Sequence, residues 1–250
     1  MISISIVSHG QGAMVARLLA DLARFPAARE GEVIVTHNVP EPALEAPSAA
    51  LPLRVVRNAA RRGFGANHNA AFAAARGGFF CVLNPDIRLP HDPFPALLEA
   101  LASASVGVAA PLVVGPDGAL EDNARRFHTP LALVRRAIAR GVRLDYPDAA
   151  GPFSPDWVAG MFMLFRREAF ARVGGFDERY FLYYEDVDVC ARLRLAGYDV
   201  RLAAGARAVH DAQRRSHRDP RYFAAHLRSA LRYFSSPTYA GIMSRARTPR

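Results

Sequence analysis

Asp86 closes the segment Leu83-Asn84-Pro85-Asp86, directly after the apolar run Phe79-Phe80-Cys81-Val82-Leu83. A carboxylate at the carboxyl end of a buried strand is well placed to hold a metal at a ligand crevice. Far downstream come Gly174-Gly175-Phe176-Asp177-Glu178 and then Tyr183-Tyr184-Glu185-Asp186-Val187-Asp188. This second acidic cluster, set after an aromatic segment, can supply a base. The two together imply metal-assisted transfer to or from a phosphorylated compound. Between them in kind stands the loop Arg62-Gly63-Phe64-Gly65-Ala66-Asn67, leading into a helix N-terminus. Its small residues permit close backbone approach, and free N–H groups there suit anions. It is not a Walker loop and is too short for the dinucleotide fingerprint; an ordinary tight turn is the alternative.

These residues need a scaffold, and the hydrophobic periodicity describes one. Residues 2–7 alternate and are rich in isoleucine, so they read as a first strand. Residues 13–25 carry helical spacing at Val15, Leu18, Leu19, Leu22 and Phe25, with Pro26 ending the helix. Strands follow at 32–36 and 53–57, separated by a Pro-rich loop at 40–52. An alanine-rich helix spans 66–76 and a fourth strand 79–83. Asp92-Pro93 reads as a helix start, with a helix to about residue 102 and a fifth strand at 106–110. This order implies a doubly wound, mainly parallel sheet with helices on both faces. The turns after the first four strands should then share one crevice.

The second half breaks that rhythm. Gly115-Pro116-Asp117-Gly118 is a turn, and residues 135–143 form a basic, helix-compatible segment. Helices are expected at 167–173 and 185–196, the latter capped by Gly197. Late strands are expected at 198–202 and 206–210. In residues 221–236, Tyr222, Phe223, Leu227, Leu231 and Phe234 interleave with Arg221, Arg228 and Arg232. That pattern suits an interfacial helix on an anionic membrane or a helix packed on the domain with a solvated basic face. Residues 245–250 read as a frayed tail.

Composition narrows the classes. The 250 residues suit one large α/β domain with a small appendage. A hydrophobic content of 51% is enough to bury a core, which argues against global disorder. No apolar run is long enough for a membrane span. The N-terminus lacks a basic leader and reads as a strand, not a signal peptide. Cys81 and Cys190 are the two cysteines, expected as buried thiols. The net charge is +9 and every basic residue other than histidine is arginine. Codon bias accounts for that, as does attraction to phosphates. No nucleic-acid-binding motif is visible, so nucleic acid is not an expected partner.

Three blocks carry a family resemblance. They are Gly63 to Asn69; Leu83 to Asp86; and a long block from Trp157 through Met161, Arg166 to Phe170, Gly174 to Glu178 and Phe181 to Asp188, with Arg192 and His210. In this order and spacing the chain resembles the inverting family 2 glycosyltransferases of GT-A fold, in particular their rhamnosyltransferase-like branch. The resemblance covers roughly residues 2–212. It implies a Rossmann-like GT-A domain over 1–212, with a nucleotide-binding half at 1–110 and an acceptor and catalytic half at 111–212. Residues 213–250 would form a C-terminal helical tail.

The resemblance further implies a nucleotide-diphosphate-sugar donor and a divalent metal, Mg²⁺ or Mn²⁺. Asn84-Pro85-Asp86 takes the place of the family's Asp-x-Asp motif, with Asp86 facing metal and diphosphate. Asn84 lowers the charge in the first slot. Asp186 matches the family's catalytic base. Of its neighbours Glu185 and Asp188, one is expected to bind acceptor and the other to cap or orient a helix; the trio also favours a helix N-terminus through the dipole. Ser8, His9, His37 and Asn38 fall where the family cradles base and ribose, and Asn58, Arg62, Gly63, Gly65 and Asn67 line the nucleotide side. His37 stands where many relatives carry a carboxylate, so the base is left open. His210 either approaches the metal or is structural. Trp157 and Gly160 form an acceptor floor, with a core tryptophan as the alternative reading of Trp157.

The resulting expectation is a cytoplasmic, inner-face peripheral enzyme of surface polysaccharide synthesis. It would move a sugar such as rhamnose from a dTDP- or UDP-linked donor to a lipid-linked saccharide. Two alternatives stand beside it. A nucleotidyltransferase would carry a lysine-bearing phosphate loop, and the chain has no lysine. A catalytically degenerate sugar-nucleotide-binding or scaffold protein would bind without turnover.

Overall fold

A computed structural model describes residues 1–133, 144–146, 151, 153–211 and 220–247. The basic segment at 135–143 lies outside the described residues, as does the end of the chain at 248–250. The first strand, β1 (Ile2–Ser8), sets the architecture. Its isoleucines enter one core, while Ser3 and Ser5 sit fully buried on the other face. Ser3 Oγ donates to Glu32 Oε1 at 2.6 Å, and Ser5 Oγ lies 2.8 Å from His68 Nδ1. Each buried hydroxyl therefore has the partner that burial demands.

Helices α1 (Gly12–Leu22) and α2 (Pro26–Arg29) precede β2 (Glu32–His37) and β3 (Leu53–Arg57). Pro26 starts α2 at its first turn, which suits proline's fixed φ and missing N–H, while α1 already stops at Leu22, short of the expected residue 25. Then come α3 (Phe64–Ala74), β4 (Phe79–Leu83), β5 (Ile87–Arg88), α4 (Phe94–Ala100) and β6 (Val106–Val114). The second half supplies β7 (Ala124–Arg125), β8 (Trp157–Val158), β9 (Phe162–Arg166), α5 (Arg167–Arg172), α6 (Glu185–Leu195) and β10 (Asp199–His210). Two helices follow, α7 (Pro220–Phe234) and α8 (Pro237–Arg247).

Eight strands form one sheet in the order β3-β2-β1-β4-β9-β6-β10-β5, and β7 pairs with β8 in a separate ribbon. The first four neighbours are parallel, so their carboxyl ends share one edge. Two details differ from the expected pattern. The strand β9 enters antiparallel between β4 and β6, a partnership no local pattern announces. The two late strands are one, with the register slipping between Ala203 and Arg207. Helices α1, α2 and α4 bury Val15, Leu18, Ala28 and Phe94 against one face. On the other face α3, α5 and α6 bury Ala71, Phe170 and Val189, with Phe80, Phe165 and Phe176 between them. Phe170 meets Phe176 edge-on, with ring centroids 5.3 Å apart. The helix expected at 221–236 is α7, and the second tail helix, α8, begins at Pro237. Tyr233 and Ile242 are buried, and Arg245 donates to the carbonyls of Arg194 and Leu195. That part of the tail is anchored, not frayed.

Candidate active site

At the carboxyl edge of β1, β2 and β3, the expected nucleotide-side residues meet in one network. Asn58 Nδ2 donates to Asn38 Oδ1 at 2.9 Å and to Asn67 Oδ1 at 2.6 Å. Asn38 Oδ1 also accepts the Arg62 N–H, and Asn67 Nδ2 donates to the Gly63 carbonyl. His9 Nδ1 lies 3.4 Å from Asn38 Nδ2. Ser8 Oγ donates to Glu41 Oε2 at 2.6 Å, and the Gly10 N–H donates to the other oxygen of Glu41. The three asparagines thus pin three loops together. Glu41, hidden in a Pro-rich loop, was not legible as a site residue. His37 is 1% exposed and neither ring nitrogen has a partner, so it lies beneath this surface.

The glycines of the 63–65 loop have an internal reason. A Cβ on Gly63 would sit 2.8 Å from the Phe181 carbonyl oxygen, and one on Gly65 2.7 Å from Phe176 Cβ. The Phe64 N–H donates to that same Phe181 carbonyl. Close approach is thus required by the 176–181 segment itself, and the Phe64 N–H is already engaged. The same loop that joins the asparagine network therefore braces the segment leading into Asp186.

Asp86 follows β4. Its Oδ1 is buried without a hydrogen-bond partner, and its Oδ2 lies 3.3 Å from His210 Nε2. His210 Nδ1 lies 2.6 Å from Glu121 Oε2. Burial alone would lower the imidazole's pKa, but hydrogen bonds to Asp86 and Glu121 prevail and raise it to about 9. Glu121 has no sequence signal, because sheet pairing brings it in from a loop. An orphaned carboxylate oxygen beside the crevice fits a divalent cation. Among the described residues no cluster of three or more His, Cys, Asp or Glu is arranged to hold one. The remaining donors would have to be ligand phosphates and water, as Mg²⁺ sites commonly use.

Asp186 stands in the first turn of α6. Its Oδ2 accepts the Gly160 N–H at 2.9 Å, and its Oδ1 accepts the Val187 N–H at 2.8 Å. The preceding Tyr183 and Tyr184 both have left-handed φ, at 71° and 67°. Each costs about 1–2 kcal/mol for an L-residue, so tertiary packing must hold the turn. Burial raises the Asp186 pKa, while the two backbone donors and Arg125 pull it down. Glu185 is buried, with Oε2 unpartnered, and burial and the Asp186 charge push its pKa well up. Of this pair Asp186 carries the charge and Glu185 the proton, because only Asp186 has compensating donors at both oxygens.

The expected acceptor residues separate. Asp188 is 2% exposed and ion-paired with Arg192 at 2.7 Å. Arg192 in turn donates to the carbonyls of Val173 and Gly175. Asp188 therefore belongs to the fold's internal packing. Trp157 is largely buried, its Nε1–H donates to the Arg126 carbonyl, and the Arg125 guanidinium lies 5.3 Å from its ring. Gly160 presents its N–H to Asp186. Arg125, which sequence reasoning missed, links Trp157 to the field at Asp186. It lies in the two-residue β7, too short to leave a pattern.

The model of the family described as glycosyl transferase family 2 matches residues 3–174. That of the N-terminal domain of galactosyltransferase matches residues 136–217. The chain is 32% identical to rhamnosyltransferase WbbL of Escherichia coli (strain K12), over 69% of this chain and 70% of that one. It is equally similar to the N-acetylglucosaminyl-diphospho-decaprenol L-rhamnosyltransferase of Mycobacterium tuberculosis (strain CDC 1551 / Oshkosh), over 59% of this chain. There the match spans about half the relative's length, 52%. In fold, the chain resembles GalNAc-T7 crystallised with UDP, GalNAc and Mn²⁺, with a TM-score of 0.65 at 15% identity, covering 85% of this chain and 44% of that one. The family match takes in the orphaned Asp86 and the Gly63 loop, and the chain belongs to the family 2 glycosyltransferases, with a GT-A-like fold.

Proposed function

We propose that this glycosyltransferase moves a deoxyhexose such as rhamnose from a dTDP- or UDP-linked donor to a lipid-linked saccharide, with inversion. The observation that carries the mechanism is the contrast between the two carboxylates. Asp86 keeps a buried oxygen without a partner, whereas Asp186 has both oxygens held by backbone donors. In this reading Asp186 takes the proton of the acceptor hydroxyl as that oxygen attacks the anomeric carbon. The bond to the donor diphosphate breaks on the opposite face. Asp86 would hold a divalent metal, which offsets the charge gathering on the departing diphosphate. His210, 3.3 Å from Asp86 Oδ2, would release its proton and join Asp86 when the cation binds. The asparagine network and Arg62 border the nucleotide. Arg125 and Trp157 border the acceptor side.

The names of the relatives support the sugar and the lipid-linked acceptor, and the Mn²⁺ in the GalNAc-T7 crystal supports the metal. His37 is buried with both ring nitrogens unpartnered, so it does not read the base from the crevice surface. Calorimetric titration with dTDP, UDP and GDP, each with and without Mn²⁺, tests the donor side. One pyrimidine diphosphate should bind only with metal, and Asp86→Ala should abolish that binding. Folded protein that binds no nucleotide, with or without metal, would overturn the assignment and favour a scaffold.

A further inference from the structure

Among the described residues, none covers one face of the helix α7. Phe223 is 72% exposed, Leu227 50% and Leu231 65%, spaced four residues apart. Among the described residues the other large exposed apolar side chains, Met1, Leu120, Leu131 and Phe181, belong to other segments. At 100° per residue the three side chains span a stripe about 80° wide. Arg221, Arg228 and Arg232 follow it along one flank, and residues 220–234 contain no acid. The opposite face is fixed to the domain. Ser229 Oγ donates to the Leu182 carbonyl at 2.8 Å, Tyr233 is 2% exposed, and the His226 ring lies 5.2 Å from that of Tyr183. No helix among the described residues is long and apolar enough to cross a membrane.

We infer that α7 is a docking helix for an anionic lipid surface, with Phe223, Leu227 and Leu231 entering the acyl boundary and the arginine flank lying among the headgroups. Three aliphatic or aromatic side chains beside an acid-free basic flank are what an interfacial helix requires. The chain's net charge of +9 adds long-range attraction to such a surface. A second copy fits less well. A two-fold pairing on this face would oppose two arginine-lined helices of like charge. Docking would also serve catalysis. The anchored face of α7 braces the turn leading into Asp186, so the bilayer would lie about one helix diameter, ~10 Å, from that turn. The inference extends the lipid-linked-acceptor reading, but its test does not pass through turnover.

The test is co-sedimentation of the full chain with vesicles of phosphatidylglycerol mixed with phosphatidylcholine, and with vesicles of phosphatidylcholine alone. The protein should bind the anionic vesicles, and added salt should weaken the binding. The triple variant Phe223→Ser, Leu227→Ser, Leu231→Ser should lose at least tenfold in partitioning, with unchanged circular dichroism. Arg228→Gln with Arg232→Gln keeps the apolar stripe and should lose about fivefold per arginine. Equal binding to neutral and anionic vesicles, or a triple variant that partitions like the unaltered chain, would overturn the inference. So would a dimer in sedimentation velocity that the triple variant dissolves, if the unaltered chain ignores vesicles.

Discussion

Gly160 donates its N–H to Asp186 Oδ2 at 2.9 Å, and the next residue, Met161, accepts the Asn84 N–H at the same distance. Two adjacent residues before β9 thus tether both the turn that carries Asp86 and the carboxylate at the start of α6. The antiparallel insertion of β9 beside β4 is what brings them together. Asp186→Asn keeps an acceptor oxygen for Gly160 but removes the proposed base. It should lower kcat by about 10²- to 10⁴-fold while leaving nucleotide-diphosphate affinity unchanged. Isothermal titration and initial rates on one preparation check both halves. A variant with undiminished kcat would end the assignment of Asp186.

Arg125 pulls the Asp186 pKa down against the effect of burial. Since the base must be ionised, activity should fall as pH drops through the raised Asp186 pKa. Arg125→Gln removes the opposing charge, so the Asp186 pKa should rise and the acid limb of kcat/KM should move to higher pH. An acid limb that stays in place would show that the guanidinium does not act on the base.

Much of this site was legible because its signals are local. Asp86 follows an apolar run, and Asp186 follows paired tyrosines and precedes a helical pattern. β1 could be read from its alternation, and β4 from a short apolar run bounded by Gly77-Gly78 and Asn84-Pro85. β9 could not: Phe162-Met163-Leu164-Phe165 is a short apolar run that suits a strand or a buried helix equally. Its antiparallel partners lie far away in sequence. The same distance hid Glu121, Glu41 and Arg125, single residues that the fold brings in from loops and a short ribbon. The Gly63 loop was visible, but its reason was not. Its tight contact is with Phe181, and no pattern around residue 63 reports a neighbour at residue 181.

Glu185 should set a pH dependence of stability. Its folded-state pKa is raised, so below the ordinary glutamate value of about 4.3 both folded and unfolded chains hold the proton. As pH rises past that value the unfolded chain releases its proton and the folded chain retains it, so stability falls. Glu185→Gln removes this linkage. The melting temperature of the variant, measured relative to the unaltered chain, should climb between pH 4 and neutrality. A difference that stays flat over that range would mean that Glu185 titrates alike in both states.

Gly63→Ala tests the brace between the two halves of the crevice. The new Cβ would meet the Phe181 carbonyl oxygen at 2.8 Å and Phe181 Cα at 3.0 Å, both backbone atoms. Neither can rotate away, so either the loop or the 177–184 segment must shift. Overpacking of this kind costs about 1–3 kcal/mol, read as a lower denaturant midpoint. The shift should travel along Phe181 and Leu182 to the two left-handed tyrosines and so to Asp186. Nucleotide affinity should change little if the asparagine network holds the other side of the loop. Turnover should then drop more than donor affinity. Crystallography of the variant would show which segment yields. Equal losses in kcat and nucleotide affinity would mean that residue 63 acts on the nucleotide itself, not on the segment that positions the base.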